Sequence, residues 1–429
     1  MKKKIIILLC FLLGLSWYTA IYEAVSNPKK VAAHIEAAEE LEAKGIYVDA
    51  ISEYEQALAY EPENVDISLK MADAYLATGN SKKFQTICKE CAENNQKDTK
   101  ALDHLMDYYI ALDNQVKAVK YLNDFIAIYP ENENANKWML KLKGSYTYLF
   151  CNYDELSEII NNTMVVKKDE LYGLADGKGT EMIAAVYEEL YPFSEEGFAL
   201  AKLDNSYIYI DTNGQRRLIA ENIDPTRAMI ANNRAIVYMN GKYGYRDEKL
   251  EPVTECEWDA LSLIEEGIGA GEKNGKWALL DKNGEEKSEY IYDDVICDNH
   301  GFCSKRQRIF VKEQKYYHMI DKKGKAIGDL KLEMAYPFAE GDYAAVCIDG
   351  KWGFADTEGN LVIECIYDDA RSFSYGFAAV CIEEQWGYID ENGHMVIEPQ
   401  FQSVTAISKE GTAAVLAEEW ELIQLSVFL

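Results

Sequence analysis

The chain has 429 residues, enough for about two or three domains of ordinary size. Hydrophobic residues make up 48% and charged residues 27%, a balance typical of globular proteins and not of disordered chains. The 73 acidic side chains outnumber the 44 Lys and Arg and give a formal net charge of -29. A surface this acidic repels phosphate backbones, so the composition excludes nucleic acids as partners.

The N-terminus predicts a membrane anchor. Residues 1–4 are Met and three Lys, and residues 5–22 (IIILLCFLLGLSWYTAIY) form an apolar run without a charge. A helix of that length covers roughly 27 Å, close to the apolar thickness of a bilayer. The positive-inside rule keeps residues 1–4 in the cytoplasm. We therefore predict a single-pass protein of the cell membrane whose bulk is extracytoplasmic.

Three alternatives to an uncleaved anchor are open. A cleaved signal peptide needs small residues before its cleavage site, which are poorly placed near Ala20 and better placed at residues 24–26. A lipoprotein would use Cys10, but Leu9 stands where a small residue is expected. A helix buried in a cytosolic protein rarely begins with three lysines. The uncleaved anchor fits these residues best.

A 34-residue period runs from about residue 31 to residue 130. Small and large apolar residues recur at matching positions of its three copies, at Ala38, Leu41, Ala50, Tyr54 and Ala57, then Ala72, Tyr75, Phe84, Cys88 and Cys91, then Met106, Tyr109, Ala118, Leu122 and Phe125. This spacing predicts stacked pairs of antiparallel helices, with turns at Gly45, Gly79 and Asp113. The pattern resembles the tetratricopeptide repeat (TPR). The resemblance implies an α-solenoid over residues 23–163, capped by a degenerate helix over about 134–160.

The resemblance also indicates which side chains line the concave groove of the solenoid. In the TPR family this groove is formed by the first helix of each repeat, and its positions here carry Glu39, Glu42, Asp73, Asp103 and Asp107. TPR domains that bind an acidic C-terminal peptide use Lys, Arg and Asn at these positions, so this class of partner is not expected. An acidic groove implies a basic protein partner. The alternative is a solvated acidic face without a partner.

Residues 164–429 contain a second period of about 35 residues. The clearest copies are KWGFADTEG at 351–359 and QWGYIDENG at 385–393, and each copy has one aromatic residue at the same place, at Tyr172, Tyr207, Tyr243, Trp277, Tyr317, Trp352, Trp386 and Trp420. The alternation of large and small residues around short turns predicts β-hairpins. The pattern resembles the WG-containing β repeat of bacterial proteins. It implies about 7–8 units, arranged as a propeller-like ring or as an open stack.

The repeated aromatic and acidic residues of this segment have two interpretations each. The aromatics form either a core layer between units or a platform on which sugar rings of peptidoglycan or another glycan stack. Asp four residues after the aromatic begins a D-x-x-G turn in most copies, as in Asp356 to Gly359. Calcium loops need several oxygen ligands, and lysines intervene in several of these turns, so turn formation is favoured over calcium binding.

Catalytic and metal-binding motifs are not found in the sequence. Cys88 and Cys91 form a C-x-x-C pair, but both occupy apolar positions of the helical repeat, which favours packing over a redox or zinc site. The five histidines are scattered, and no nucleotide-binding, metalloprotease or hydrolase motif is present. We therefore predict no enzymatic activity, no cofactor and no metal.

Together these patterns predict a multidomain protein of fold class α plus all-β: a transmembrane helix, a TPR α-solenoid and a β-repeat domain over residues 164–429. The predicted function is that of an interaction or scaffold protein that binds protein partners at the cell envelope. The alternative is carbohydrate binding through the aromatics of the β repeats.

Overall fold

The computed structural model describes residues 27–227 and 229–428, so the predicted cytoplasmic tail (1–4) and membrane anchor (5–22) lie outside the described residues. The chain divides into two compact units, Met1–Met139 and Leu140–Leu429. Among the helices of the described ranges, none has an apolar stretch long enough to cross a bilayer.

The first unit is built from consecutive antiparallel helices. Between residues 27 and 143 the structure has seven: α1 (residues 27–43), α2 (Tyr47–Tyr60), α3 (Val65–Ala77), α4 (Ser81–Asn94), α5 (Lys100–Ala111), α6 (Gln115–Ile128) and α7 (Glu133–Lys143). The apolar positions of the 34-residue period form the core: Ala38, Ala50, Tyr54 and Ala57 are fully buried where the first helices meet. The predicted helical pairs are confirmed.

Local residues set where these helices begin and end. The side chains of Asn64, Asn80 and Asn114 stand before α3, α4 and α6, and each accepts a hydrogen bond from the backbone N–H three residues later. Such caps satisfy amides that have no partner within the helix. Gly45 and Gly79, at the predicted turns, have φ of 73° and 83°, a region that glycine adopts without strain.

The predicted capping helix over 134–160 is wrong beyond Lys143. Helix α7 ends there, and residues Tyr146–Leu149 and Glu155–Leu156 are β-strands of the second unit. The division between the units therefore falls at residues 139 and 140, and not at 163 and 164. The aromatic and β-branched residues of Tyr146–Leu149 favour a strand. The strand that they pair with lies at the other end of the unit, so the local sequence does not indicate the pairing.

Within the described residues, the second unit consists of eight antiparallel sheets, which follow one another along the chain. Their strands are β2 (Glu155–Leu156), β3 (Thr163–Lys168), β4 (Leu171–Asp176) and β5 (Glu181–Tyr187); β6 (Glu189–Leu190), β7 (Phe198–Leu203), β8 (Ser206–Asp211) and β9 (Arg216–Ile219); β10 (Ala235–Met239) and β11 (Lys242–Arg246); β12 (Ala260–Leu261), β13 (Ile268–Lys273) and β14 (Lys276–Asp281); β15 (Asp294–Val295), β16 (Arg308–Glu313), β17 (Tyr316–Asp321) and β18 (Ala326–Leu332); β19 (Met334–Ala335), β20 (Tyr343–Ile348), β21 (Lys351–Asp356) and β22 (Leu361–Tyr367); β23 (Asp369–Ala370), β24 (Phe377–Ile382), β25 (Gln385–Asp390) and β26 (Met395–Phe401); and β27 (Ser403–Val404), β28 (Thr412–Leu416) and β29 (Trp420–Leu425) with β1 (Tyr146–Leu149). Short 3-10 helices lie at Pro225–Arg227 and Ser426–Phe428.

These sheets form a closed ring, a β-propeller, and not an open stack. A buried apolar cluster lies between each sheet and the next. The last sheet packs against the first through Ala414 and Leu422, which share a cluster with Leu156 and Val166. Seven sheets have three or four strands and are regular blades, whereas β10–β11 is a two-stranded hairpin.

The ring is closed by a strand from each end of the unit. Strand β1 pairs antiparallel with β29, so that Tyr146 lies opposite Leu425 and Leu149 opposite Leu422. The last sheet therefore has the order β1-β29-β28-β27. A sheet completed in this way fixes the first residues of the unit to its last ones.

We expect Leu422→Ala to destabilise the propeller much more than Leu361→Ala. Leu422 is fully buried between the last and first sheets, whereas Leu361 is 39% exposed on β22. Truncation of a buried leucine costs about 2–5 kcal/mol, and truncation at an exposed site below about 1 kcal/mol. Urea unfolding followed by tryptophan fluorescence measures both. Equal losses of stability would contradict a closed ring.

Candidate interaction surfaces

The acidic side chains predicted for the groove lie on α1, α3 and α5, the first helices of the repeats. Two of them form ion pairs with the next repeat: Glu39 with Lys70, and Asp73 with His104 at 2.6 Å. Both pairs join residues that are 31 positions apart, so the same contact occurs in consecutive repeats. The hydrogen bond that His104 Nε2 donates to the Asp73 carboxylate raises the pKa of His104, against the effect of burial.

Asp103 makes a related contact one repeat further along. Its Oδ1 accepts hydrogen bonds from Trp138 Nε1 at 2.6 Å and from Asn134 Nδ2 at 3.0 Å. Burial opposes ionisation of Asp103, but these hydrogen bonds outweigh it, and the pKa of the carboxyl is lowered. The Asp103 carboxylate thus links α5 to the start of α7.

The remaining two predicted acids differ in environment. Glu42 Oε2 accepts a hydrogen bond of 3.1 Å from the hydroxyl of the buried Tyr54, whose pKa is raised by burial and by the Glu42 charge. Asp107 is exposed on α5. Four of the five acids are therefore used in contacts within or between repeats, which reduces the negative charge left for a partner.

The D-x-x-G turns of the propeller use their carboxylates for backbone hydrogen bonds. Asp356 Oδ1 accepts from the N–H of Glu358 at 3.0 Å and of Asn360 at 2.8 Å, and Gly359 has a φ of 79°. The same pair of bonds is made by Asp176, Asp211, Asp247, Asp281, Asp321 and Asp390. In the part of the chain that the structure describes, no three His, Cys, Asp or Glu side chains are grouped as metal ligands.

A second set of acids, at the junction of neighbouring sheets, also binds backbone amides. Asp368 Oδ2 accepts from the N–H of Glu383, in the hairpin turn of the next sheet, at 2.8 Å, and its other oxygen pairs with Lys351. Equivalent bonds to hairpin turns are made by Asp154, Glu188, Asp259, Asp293 and Glu333. Each of these acids directly precedes the first strand of a sheet and stabilises the hairpin turn of that sheet.

The aromatic side chain of each β repeat packs against its own sheet. Trp352 stacks on Tyr336 with ring centroids 4.9 Å apart and planes 17° apart. The guanidinium of Arg371 lies over the ring of Trp386, 5.2 Å from its centroid. In both sheets one face of the indole is therefore covered by a neighbouring side chain.

The tyrosines at this position are held by their hydroxyls as well. Tyr207 donates to Glu189 at 2.8 Å and Tyr317 to Asp294 at 2.5 Å. Tyr243 donates to Asp224 at 2.8 Å. Cations lie over Tyr172, Tyr207, Tyr243 and Tyr317, Trp277 is buried, and Trp420 packs against the cluster that closes the ring. All eight aromatics thus have a structural role.

The sequence reasoning missed an insertion between β15 and β16. Asp298 Oδ1 accepts from the N–H of His300 at 2.9 Å and of Phe302 at 3.0 Å, the same turn as in the D-x-x-G motifs. The turn reaches other sheets: Leu263 N–H donates to the Gly301 carbonyl at 2.8 Å, and His300 Nε2 lies 3.8 Å from a Glu158 carboxylate oxygen. The sequence D-N-H-G, outside the 35-residue period, was the available signal.

Comparison with known families identifies both repeats. The model of the WG containing repeat matches residues 172–207, 243–277, 319–352, 352–385 and 386–417. A tetratricopeptide repeat model matches residues 41–107. The chain carries tetratricopeptide repeats followed by WG-containing β repeats. Both resemblances drawn from the sequence are confirmed, and the WG repeats are the blades of the propeller. Repeats of these two kinds are typical of proteins that act through interactions.

Solved structures resemble parts of the chain only distantly. A eukaryotic initiation factor is 11% identical over 66% of this chain and 87% of its own, with a TM-score of 0.44. The second TPR domain of the human RPAP3 protein, in complex with an HSP70 peptide, is 17% identical over 26% and 94%, with a TM-score of 0.21. The WD40 domain of SCAP from fission yeast is 8% identical over 65% and 97%, with a TM-score of 0.36. Among the curated proteins none matches the chain.

We expect Asp103→Asn to destabilise the TPR unit by about 1–2 kcal/mol and Asp107→Asn by less than about 0.5 kcal/mol. Asp103 accepts two side-chain hydrogen bonds from a following repeat, whereas Asp107 is exposed. The pKa of Asp103 is lowered in the folded state, so its contribution is present above the unfolded pKa of about 3.9 and is lost as the pH falls through the folded value.

Urea unfolding of the full chain, followed by helical circular dichroism between neutral and acidic pH, measures both differences. A greater loss for Asp107→Asn than for Asp103→Asn would contradict the role assigned to the hydrogen bonds.

Proposed function

We propose that this is a non-enzymatic interaction protein of a bacterial cell envelope, in which residues 5–22 anchor the chain in the membrane and the TPR and WG-repeat units bind protein partners outside the cytoplasm. The observation that carries the proposal is that the chain is built from TPR and WG repeats, two kinds of repeat typical of proteins that act through interactions. Large apolar side chains are also exposed on both units, at Val48, Ile128, Phe150 and Ile366.

The proposed location rests on the first 22 residues. Three lysines followed by an uncharged run of membrane-spanning length favour a cytoplasmic N-terminus, which would put both repeat units on the far side of the membrane. A scaffold at that position would hold its partners close to the membrane surface.

A basic segment is the proposed partner of the TPR unit. The net charge of -29 supports this, and Asp107 is an exposed acid on α5. Carbohydrate binding through the WG-repeat aromatics has less support, because Tyr336 and Arg371 already cover one face of Trp352 and Trp386.

A reporter enzyme fused after Leu429, active only outside the cytoplasm, is expected to be active. The variant Leu12→Arg with Leu13→Arg places two charges in the apolar run and is expected to abolish that activity, since charges at the bilayer centre oppose insertion. The matched control Lys29→Arg lies beyond the run and keeps it. Activity in the double variant, or none in the unchanged chain, contradicts the proposed anchor.

Purified peptidoglycan, sedimented with the detergent-solubilised full chain, is expected to leave the chain in the supernatant, while chemical cross-linking in intact cells joins it to other proteins. Trp352→Ala serves as the control for carbohydrate binding. Sedimentation that requires Trp352, with no cross-linked protein, would replace the proposal with the carbohydrate alternative.

A further inference from the structure

Each four-stranded sheet has a two-residue strand at one edge and a longer strand at the other, and the longer edge strands differ in what they expose. These edge strands are β1, β5, β9, β18, β22 and β26. An edge strand presents backbone N–H and C=O groups that another chain can pair with, and proteins commonly place charged side chains there to prevent it. An exposed charge on an edge strand therefore indicates that pairing with another chain is discouraged there.

Four of the six edge strands carry an exposed charge on the face turned to solvent. It is provided by Arg217 on β9, Lys331 on β18, Glu364 on β22 and Glu398 on β26. These four strands follow the usual protection of a free edge.

The other two edge strands lack such a charge and belong to neighbouring sheets, the last and the first of the ring. On β5 the solvent face consists of Met182 (45% exposed), Ala184 and Val186 (49% exposed). Strand β1 exposes Tyr148, and Phe150 directly after it is 90% exposed. We call these five residues the closure patch.

The two parts of the closure patch meet at the turn before β5. A Cβ atom placed on Gly179 would stand 3.1 Å from the carbonyl oxygen of Phe150, and Gly179 lies three residues before Met182. The backbone at Phe150 therefore lies beside the turn that precedes β5. Exposed apolar side chains and an edge strand without a charge on its solvent face thus occur at the same place in the ring.

We propose that the free edge of β5 binds an extended segment of a partner protein, one with alternating apolar residues and basic residues at its ends. The segment adds a strand to the first sheet through backbone hydrogen bonds, and its apolar side chains pack on Met182 and Val186. The basic ends are complementary to the exposed Glu181, at one end of β5, and to the half-buried Glu188 just beyond the other, one oxygen of which also accepts the backbone hydrogen bond of a hairpin turn. The inference rests on the proposed function and names the surface that serves it.

Charge distinguishes this occupant from a second copy of the same chain. Two copies with a net charge of -29 each repel one another, whereas a basic segment is attracted. The edge strand of a second copy would also bring Glu181 against an acidic chain. The patch therefore fits a basic partner better than self-association.

The probe is a fluorescent synthetic peptide with a central segment of alternating Val and Thr and a pair of Lys at each end. It is added to the detergent-solubilised full chain. We expect binding measurable by anisotropy, together with slower amide hydrogen exchange in Glu181–Tyr187 and unchanged exchange in Leu361–Tyr367, where Glu364 protects the edge. Ala184→Lys puts a charge at the centre of the β5 edge and is expected to weaken binding at least about tenfold. Gln400→Lys, the matched change on β26, leaves the affinity unchanged.

Several results would overturn the proposal: no binding of the peptide, protection of another strand, or equal affinity in Ala184→Lys and the unchanged chain. Protection of β5 that depends on protein concentration and not on peptide would instead identify a second copy as the occupant. A reporter that is inactive outside the cytoplasm would overturn the proposed location and leave the peptide result standing, so the two failures are distinguishable.

Discussion

The pairing of β1 with β29 is the contact on which the second unit depends. Each WG repeat buries its apolar residues only against its neighbours, so an open row would leave two faces in water. With Leu422 and Leu156 in one cluster, the last sheet covers the first, and no terminal repeat needs a polar cap. The ring closes only when all of the sheets are present.

Within this frame, carboxylates mainly organise the backbone. Asp356 and its equivalents accept two amide N–H groups each in the turns, and Asp368 and its equivalents accept one in the adjacent hairpins. In the TPR unit, Asp73 and Asp103 bind side chains of later repeats. Part of the acidic composition thus contributes to local structure, and the excess negative charge favours basic partners.

The sequence predicted features that depend on local patterns. The apolar positions around Ala38 and Phe84 indicated the helical pairs, and the turns at Gly45, Gly79 and Asp356 lie where the spacing put them. The features it missed depend on contacts distant in sequence. Tyr146–Leu149 is a strand because Leu425 and Leu422 lie opposite, and the groove acids are paired because Lys70 and His104 are presented by the next repeat. Ring closure is likewise a tertiary outcome, whereas the insertion at Asp298 had a signal in the sequence that was missed.

The closing strand also has a consequence for the order of folding. Strand β1 is synthesised first in its unit, and its partner β29 last, with Tyr146 opposite Leu425. At the usual rate of translation the interval between them lasts roughly 15–60 s, during which other blades can form while β1 has no partner. Contacts so distant in sequence slow folding. Until the final residues emerge from the ribosome, the tyrosines of β1 therefore lack the strand against which they are held in the folded ring.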